Sequence, residues 1–457
     1  MDFADLSRDD LISLVKQLLP VVDQLRSESA SHQAEIALLR AEVERLRGGP
    51  PSTPKSSVPA FVKANVKPRA QTPRKKRPHG FARRRQTPTE TVVHAPEACS
   101  CCGRKLTGGW VHRLREVIEL PEAPIRVIQH KIMGRHCGVC GKREIASVDL
   151  SDSVVGQSRL GIRLMSLIAY LDTTCRMPVR TIRRLLKGLY GLTLSVGEIC
   201  KVLQKVAARG ASTYEQIVTR LRSSPVVNAD ETGWRQNGKN GYAWSFSTPS
   251  LHYFVCQRNR SSEVVKEVLG SAFNSALVTD FYSAYNFYIL GPHQYCWPHL
   301  LRDVHALREQ HTKDRQVTRF ATAIYSIYAA AKAYSHPSVF ARKRRREQFE
   351  ERIRRLAQRH LGSDRPERVL AERVYKQSRK LFVFVERPDV PSDNNAAERS
   401  LRPLVVMRKV SGGTRSDQGS KTVAVLMSLF MTWHAQDKDA MLTCQRMLRG
   451  QSVFAPA

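Results

Sequence analysis

Leu11, Leu18, Leu25, Leu39 and Leu46 recur at seven-residue spacing, with Val15, Val22, Ile36 and Val43 on the companion register. Leucine on one seam position and β-branched residues on the other is the pattern of a parallel two-stranded coiled coil, so residues 1–47 are expected to pair two chains. Ser29 and His32 fall in the seam, and Pro20 must kink or restart the helix. An amphipathic hairpin folded onto its own chain would show the same periodicity. Helical spacing returns over residues 158–222, where Leu160, Leu164, Leu167, Ile168 and Leu171 form one apolar face. After Pro178 the pattern predicts a helix from Val179 to Tyr190, a turn over Gly191–Leu194, and a second helix from Ser195 to Ala208, with Ser195 and Glu198 as a capping box. That outline suits a helix-turn-helix with Arg180, Arg183, Arg184 and Lys187 facing phosphates, and equally an ordinary helical hairpin.

The period then changes from helical to alternating. Pro225–Ala229, Gly241–Ser247 and Leu251–Cys256 read as strands joined by hairpin-type turns, Ser261–Leu269 as a helix, and Ala276–Thr279 as a further strand. The order is β-β-β-α-β. An aspartate ends the first strand, Asp230, and another the fourth, Asp280.

Charge narrows the partner. Lys and Arg number 74 against 41 Asp and Glu, a net charge of +33, which favours a polyanionic partner such as nucleic acid. The excess is uneven: residues 1–47 carry nine acids and six bases, residues 48–96 eleven bases and one acid. This second segment also holds nine prolines and the runs Arg74-Lys75-Lys76-Arg77 and Arg83-Arg84-Arg85. It cannot bury enough surface to offset chain entropy and reads as a disordered linker, either gripping phosphates or merely solubilising the chain. No apolar run approaches a membrane span, and the acidic start lacks the basic region of a signal peptide, so a cytoplasmic protein is expected.

In that compartment the ten cysteines are metal ligands or thiols rather than disulfides. Cys99-Ser100-Cys101-Cys102-Gly103 and Cys137-Gly138-Val139-Cys140-Gly141 are two C-x-x-C-G knuckles, 34 residues apart, and together they match the four-sulfur shell of a structural Zn²⁺. Cys101 is a spare thiol and His136 a lesser competitor. Val117–Leu120 and Ile125–Ile128 read as strands of the intervening ribbon.

Adjacent parallel first and fourth strands would bring Asp230 and Asp280 within reach of shared divalent cations, and carboxylates are the hard ligands Mg²⁺ prefers. Glu398, on a helix expected to be capped by Ser392, is the candidate third acid. Each acid alone has a plainer reading, as a strand end or as an ion pair from Glu398 to Arg402. The surrounding residues are distinctive: Asp-Glu-Thr at 230–232, Thr-Asp-Phe-Tyr-Ser-Ala-Tyr at 279–285, Cys-Trp-Pro-His at 296–299, Asn-Asn-Ala-Ala-Glu-Arg at 394–399 and Gly-Gly-Thr-Arg-Ser-Asp-Gln-Gly-Ser at 412–420.

On these motifs the chain resembles the transposases of the insertion sequence 66 family, DDE enzymes with an RNase H-like core. The resemblance implies that Asp230, Asp280 and Glu398 are catalytic acids holding Mg²⁺ (or Mn²⁺). It implies that the ribbon and basic arm engage element ends on double-stranded DNA, that target DNA is a second partner, and that proteins encoded beside the element assist. A bacterial, nucleoid-associated protein would follow.

Between Asp280 and Glu398 lie 117 residues, and residues 301–380 hold 21 bases and nine acids, including Arg344, Arg345 and Arg346. This reads as a helical insertion that grips DNA backbone, or as a solvated helix face. Cys296 and His299 supply only two ligands and read as packing at its base. The expected architecture is multidomain α+β: a coiled coil (1–47), linker (48–96), zinc ribbon (97–148), helical DNA-binding domain (149–222), first part of the core (223–300), insertion (301–380), and second part with carboxyl-terminal helices (381–457). A nuclease or resolvase without strand transfer, and a non-catalytic zinc-ribbon regulator, are the competing functions.

Overall fold

The computed structural model describes residues 19–34, 36–37, 87–120, 124–362 and 364–454. The heptad positions Leu11, Val15, Leu18, Leu39, Val43 and Leu46 and the basic runs 74–77 and 83–85 lie outside them. The chain divides into two units, Met1–Glu119 and Leu120–Ala457. In the first, the described helix (α1, residues 19–34) holds Pro20 in its first described turn, with Val22 and Leu25 exposed. Residues 87–119 form no strand beyond a bridge between Ala98 and Lys105 around the first knuckle.

The second unit begins with a short antiparallel pair, β1 (Gly134–His136) and β2 (Arg143–Ile145), on either side of the second knuckle. The expected strands at 117–120 and 125–128 are not formed. Their apolar side chains, Val117, Ile118, Val127 and Ile128 among them, are exposed, whereas the second knuckle's turn holds its two flanks in register. Four helices follow: α2 (Ile162–Thr173), α3 (Val179–Tyr190), α4 (Val196–Arg209) and α5 (Ala211–Arg222). Gly191 ends α3 in the left-handed conformation, and the Ser195 hydroxyl caps α4 by accepting the Glu198 N–H at 3.0 Å, as the sequence predicts.

A five-stranded mixed sheet carries β3 (Val226–Gln236), β4 (Lys239–Ser247), β5 (His252–Gln257), β6 (Ala276–Thr279) and β7 (His293–Tyr295) in the order β5-β4-β3-β6-β7. A helix, α6 (Ser262–Leu269), crosses from β5 to β6. The first and fourth strands of the sheet are adjacent and parallel, pairing Val226 with Ala276, Val227 with Leu277 and Asn228 with Val278. One expectation fails: β3 does not stop at Asp230. It pairs with β4 as far as Gln236 and turns at Asn237-Gly238, both with positive φ. Asp230 therefore sits in mid-strand, where the shorter β6 has ended and left one side of β3 open.

Alternation along β3 divides the core. Val227 and Ala229 join Trp244, Phe246 and Tyr285 in the cluster built on α2–α6, while Trp234 joins Phe254, Leu401 and Leu404 on the other face. A third cluster fills the segment after β7, where α7 (Trp297–Gln310), α8 (Arg315–Ala333), α9 (Val339–Gln358), α10 (Arg368–Gln377) and α11 (Val383–Glu386) bury Trp297, Phe320, Phe349 and Phe382. The chain returns through α12 (Asn395–Ser411), α13 (Asp417–Ala435) and α14 (Ala440–Leu448). The exposed edge of β5 is covered by α13: Ser428 and Thr432 hydroxyls accept the N–H groups of Phe254 and His252 at 2.8 and 2.9 Å. Among the described residues no helix is long and apolar enough to cross a membrane.

Candidate active site

The register that pairs Asn228 with Val278 continues, two residues on, to Asp230 level with Asp280. Both carboxylates are half-buried, and each accepts a nearby backbone N–H at 2.9 Å: Asp230 from Glu231, Asp280 from Tyr282. The third acid arrives on α12, whose start is stitched to β3. The buried Asn394 donates to the Ala229 carbonyl at 2.8 Å and accepts from the Asn228 amide at 3.0 Å. Asn394, rather than Ser392, is the N-cap residue of this helix; Ser392 instead gives its carbonyl to the Trp297 N–H. One turn into α12, Glu398 comes near enough for its charge to act on Asp230, although the three carboxylates do not all fall within 4.8 Å of one another. Farther along, Ser400 bonds Ser245 and His252, each at 2.8 Å, and Arg408 bonds the Gly233 carbonyl.

The electrostatics follow from this convergence. Burial, then the neighbouring charges of Glu231, Asp280 and Glu398, push the Asp230 carboxyl from an ordinary 3.8 to about 8. Among the described residues no lysine or arginine forms an ion pair with Asp230, Asp280 or Glu398; His299 stands 3.7 Å from Glu398, and the charge of Arg260, though paired with Glu231, also reaches Asp280. The Glu398–Arg402 pair that the sequence allows is not formed.

Glu231 points to the opposite face, as alternation requires, but it is no solvated bystander. Its side chain is 1% exposed and takes two hydrogen bonds from Arg260, one of them at 2.9 Å, and one from the Tyr285 hydroxyl at 2.5 Å. Arg260 lies 3.6 Å over the Tyr282 ring, and the Tyr282 hydroxyl donates to the Arg260 carbonyl. The two tyrosines of the 279–285 motif thus lock the turn after β6 to β3. Burial raises the Glu231 carboxyl, and the bonds from Tyr285 and Arg260 pull it back.

The last motif docks at the far end of β3. Gly413, at φ +94°, passes so close to Arg235 that an added Cβ would stand 2.0 Å from its carbonyl oxygen. Thr414 and Ser420 then bond Trp234 and Gln236.

Each cysteine knuckle is preshaped on its own. In the first, Cys99 N–H donates to Arg104, Gly103 N–H donates to Cys99, and Gly103 is left-handed; Cys137, Lys142 and Gly141 repeat all three features in the second. The amides of Cys102 and Cys101 lower the Cys99 thiol, and those of Cys140 and Val139 lower Cys137, as suits sulfurs that bind a metal as thiolates. His136 is turned toward the Gly141 carbonyl, and Cys101 is exposed.

The basic cluster of α9 separates into two roles. Arg346 is half-buried between Glu350 and Glu386, and Arg345 lies over the Tyr334 and Phe349 rings. Arg344 instead lines an open cleft of about 630 Å³ with Arg352, Arg355 and Arg359, and with Glu347 and Glu351, the latter paired with Arg355. Cys296 and His299 also read differently from packing residues, because both stand against Glu398, their ligand atoms all within 4.8 Å of one another. Sequence reasoning missed this because the third member lies 99 residues beyond His299.

Comparison with known proteins brings one family and two relatives. The profile of the family "Transposase IS66 family" matches residues 157–422, which contain all three acids and exclude both knuckles. The uncharacterized protein y4jO of Sinorhizobium fredii (strain NBRC 101917 / NGR234) is 29% identical over 147 residues, 31% of this chain and 44% of that protein. The uncharacterized protein y4jD of the same strain is 23% identical over 390 residues, 75% of this chain and 72% of that protein. The chain thus spans less than half of the first relative's length.

Proposed function

The chain belongs to the IS66 family of transposases, and from that premise we propose that Asp230, Asp280 and Glu398 form a DDE active site that cuts DNA and joins the freed strand to a target. The family supports the transposase role; the chemistry is our reading, carried by one observation. The Asp230 carboxyl on β3 feels the charges of Asp280, which follows β6, and of Glu398 on α12; among the described residues none of the three has a lysine or arginine ion pair, and burial with these charges pushes Asp230 to about 8. An all-oxygen donor set under mutual repulsion fits Mg²⁺ or Mn²⁺.

Bound there, such ions supply activation of the attacking oxygen and charge stabilisation at the leaving oxygen of a phosphodiester. The chain's own work is positional. The β3–β6 ladder sets Asp230 beside Asp280, the Asn228–Asn394 pair sets the start of α12, and the Glu231 clasp fixes the turn that follows Asp280. We read the mixed sheet as an RNase H-like core.

The remaining parts fit around that centre. We assign one structural Zn²⁺ to Cys99, Cys102, Cys137 and Cys140, and assign the ribbon with Arg74, Lys75, Lys76, Arg77, Arg83, Arg84 and Arg85 to element ends. The exposed arginines on α3, Arg180, Arg183 and Arg184, and the cleft arginines on α9 suit phosphate contacts. Arg345 and Arg346 serve as scaffold. The heptads of α1 and its flanks pair protomers so that both element ends are held, with accessory proteins of the element and the nucleoid as the setting.

Joining of labelled terminal-repeat DNA to a target plasmid tests the reading. Asp230→Asn, Asp280→Asn and Glu398→Gln should each lower cleavage at least about a thousandfold while DNA binding persists. Cutting without joining would leave a nuclease, binding without cutting a regulator, and wild-type cleavage in any of the three would remove the triad.

A further inference from the structure

We infer that Cys296 and His299 are positioning residues that hold the third acid, Glu398, at the site. This rests on the triad reading of Glu398.

Cys296 is fully buried where β7 meets α7. Its Sγ accepts the Asn394 N–H at 3.2 Å, at the start of α12, and also the His299 N–H in the first turn of α7. One sulfur thereby ties the first turns of two helices that are 98 residues apart in sequence. The free amides of a helix start need acceptors when buried, and here a single side chain serves both ends. The bond between the Trp297 N–H and the Ser392 carbonyl, 3.0 Å, closes the same junction through the backbone.

His299 then reaches from α7 to α12, with Nε2 3.7 Å from Glu398 Oε1. Its other ring nitrogen, Nδ1, is buried and has no hydrogen-bond partner. A buried unpaired N–H costs more than an unpaired lone pair, so the hydrogen belongs on Nε2, facing the carboxylate. Glu398 is itself only one turn from Asn394, so the sulfur holds the start of the helix that carries Glu398 and the imidazole stands beside its carboxylate. Groups that orient a ligand in this way change ion affinity about 10- to 100-fold when removed.

The experiment uses the full-length protein and measures cleavage against Mg²⁺ concentration. His299→Ala and Cys296→Ala should raise the Mg²⁺ needed for half-maximal cleavage about tenfold, with DNA affinity near wild type in both and melting temperature near wild type in His299→Ala, whereas Cys296→Ala, which strands buried amides, should melt lower. His299→Gln keeps an N–H donor and Cys296→Ser an acceptor, and both should recover most of the loss. Should Cys296→Ala fail to fold, the half-exposed His299 carries the test alone. An unchanged Mg²⁺ requirement in His299→Ala overturns the proposal. So does the loss of one bound zinc equivalent in either alanine variant, because the trio would then be an ion site of its own. Asp230→Asn runs alongside: if it cleaves like wild type, the triad reading has failed rather than the positioning.

Discussion

Asp230 and Glu231 are neighbours on β3, yet the two faces they point to are built on opposite principles. Glu231 enters a finished site, where an arginine and a tyrosine hydroxyl absorb its charge and bury it. Asp230 enters an unfinished one, where two more carboxylates gather and the charge is left uncompensated. Burying an acid is costly unless it is paired, and this contrast between a paired acid and a bare neighbour is what supports our proposal that the second serves an external cation. That contrast separates scaffold from chemistry more sharply than either residue could alone.

The widest separation is expected in activity. Asp230→Asn should abolish cleavage, whereas Glu231→Gln, which keeps an acceptor for Tyr285 and Arg260, should lower it about tenfold through a looser turn at Asp280. Equal losses in a single-turnover cleavage assay would erase the contrast.

Stability should reverse the order. Glu231→Ala strands Tyr285 and Arg260, and chemical denaturation should show a loss of about 2 kcal/mol, below the full cost of breaking a buried pair because Arg260 is 38% exposed. Asp230→Asn should instead leave the ion-free protein as stable or more so.

A pH series sharpens this further. A carboxyl raised from 3.8 to about 8 favours the folded state fully below about pH 4, and that contribution is lost as pH climbs through about 8. In chelator, the melting temperature should fall over that window by roughly 3–6 °C. Asp230→Asn should flatten the fall, and Mn²⁺ should reverse it in the wild type alone. The smallest effect is expected for Tyr282→Phe, which loses one hydroxyl bond to the Arg260 carbonyl and should cost about 1 kcal/mol.

Much of this arrangement could be read from the residues in order. The capped pair α3–α4, the strand-strand-strand-helix-strand order and the parallel neighbours that bring Asp230 level with Asp280 all follow from local periodicity and turn chemistry. What could not be read depends on distant partners. Nothing near Glu231 announces Arg260, 29 residues on, and nothing near Cys296 announces Asn394. The extension of β3 past Asp230 depends on β4 outlasting β6, which is a property of the sheet and not of the strand. The ribbon strands were misplaced because the exposed apolar residues at 117–120 and 125–128 alternate like strands, yet among the described residues they pair with no strand.

The central claim is that the Asp230 face is a divalent-ion site and the Glu231 face is not. Anomalous diffraction from crystals of the protein soaked in Mn²⁺ tests it directly. The account predicts manganese density between Asp230 and Asp280, within ligand distance of Glu398, and its loss in Asp280→Asn. Density absent there, or found only beside Cys296 and His299, would contradict it.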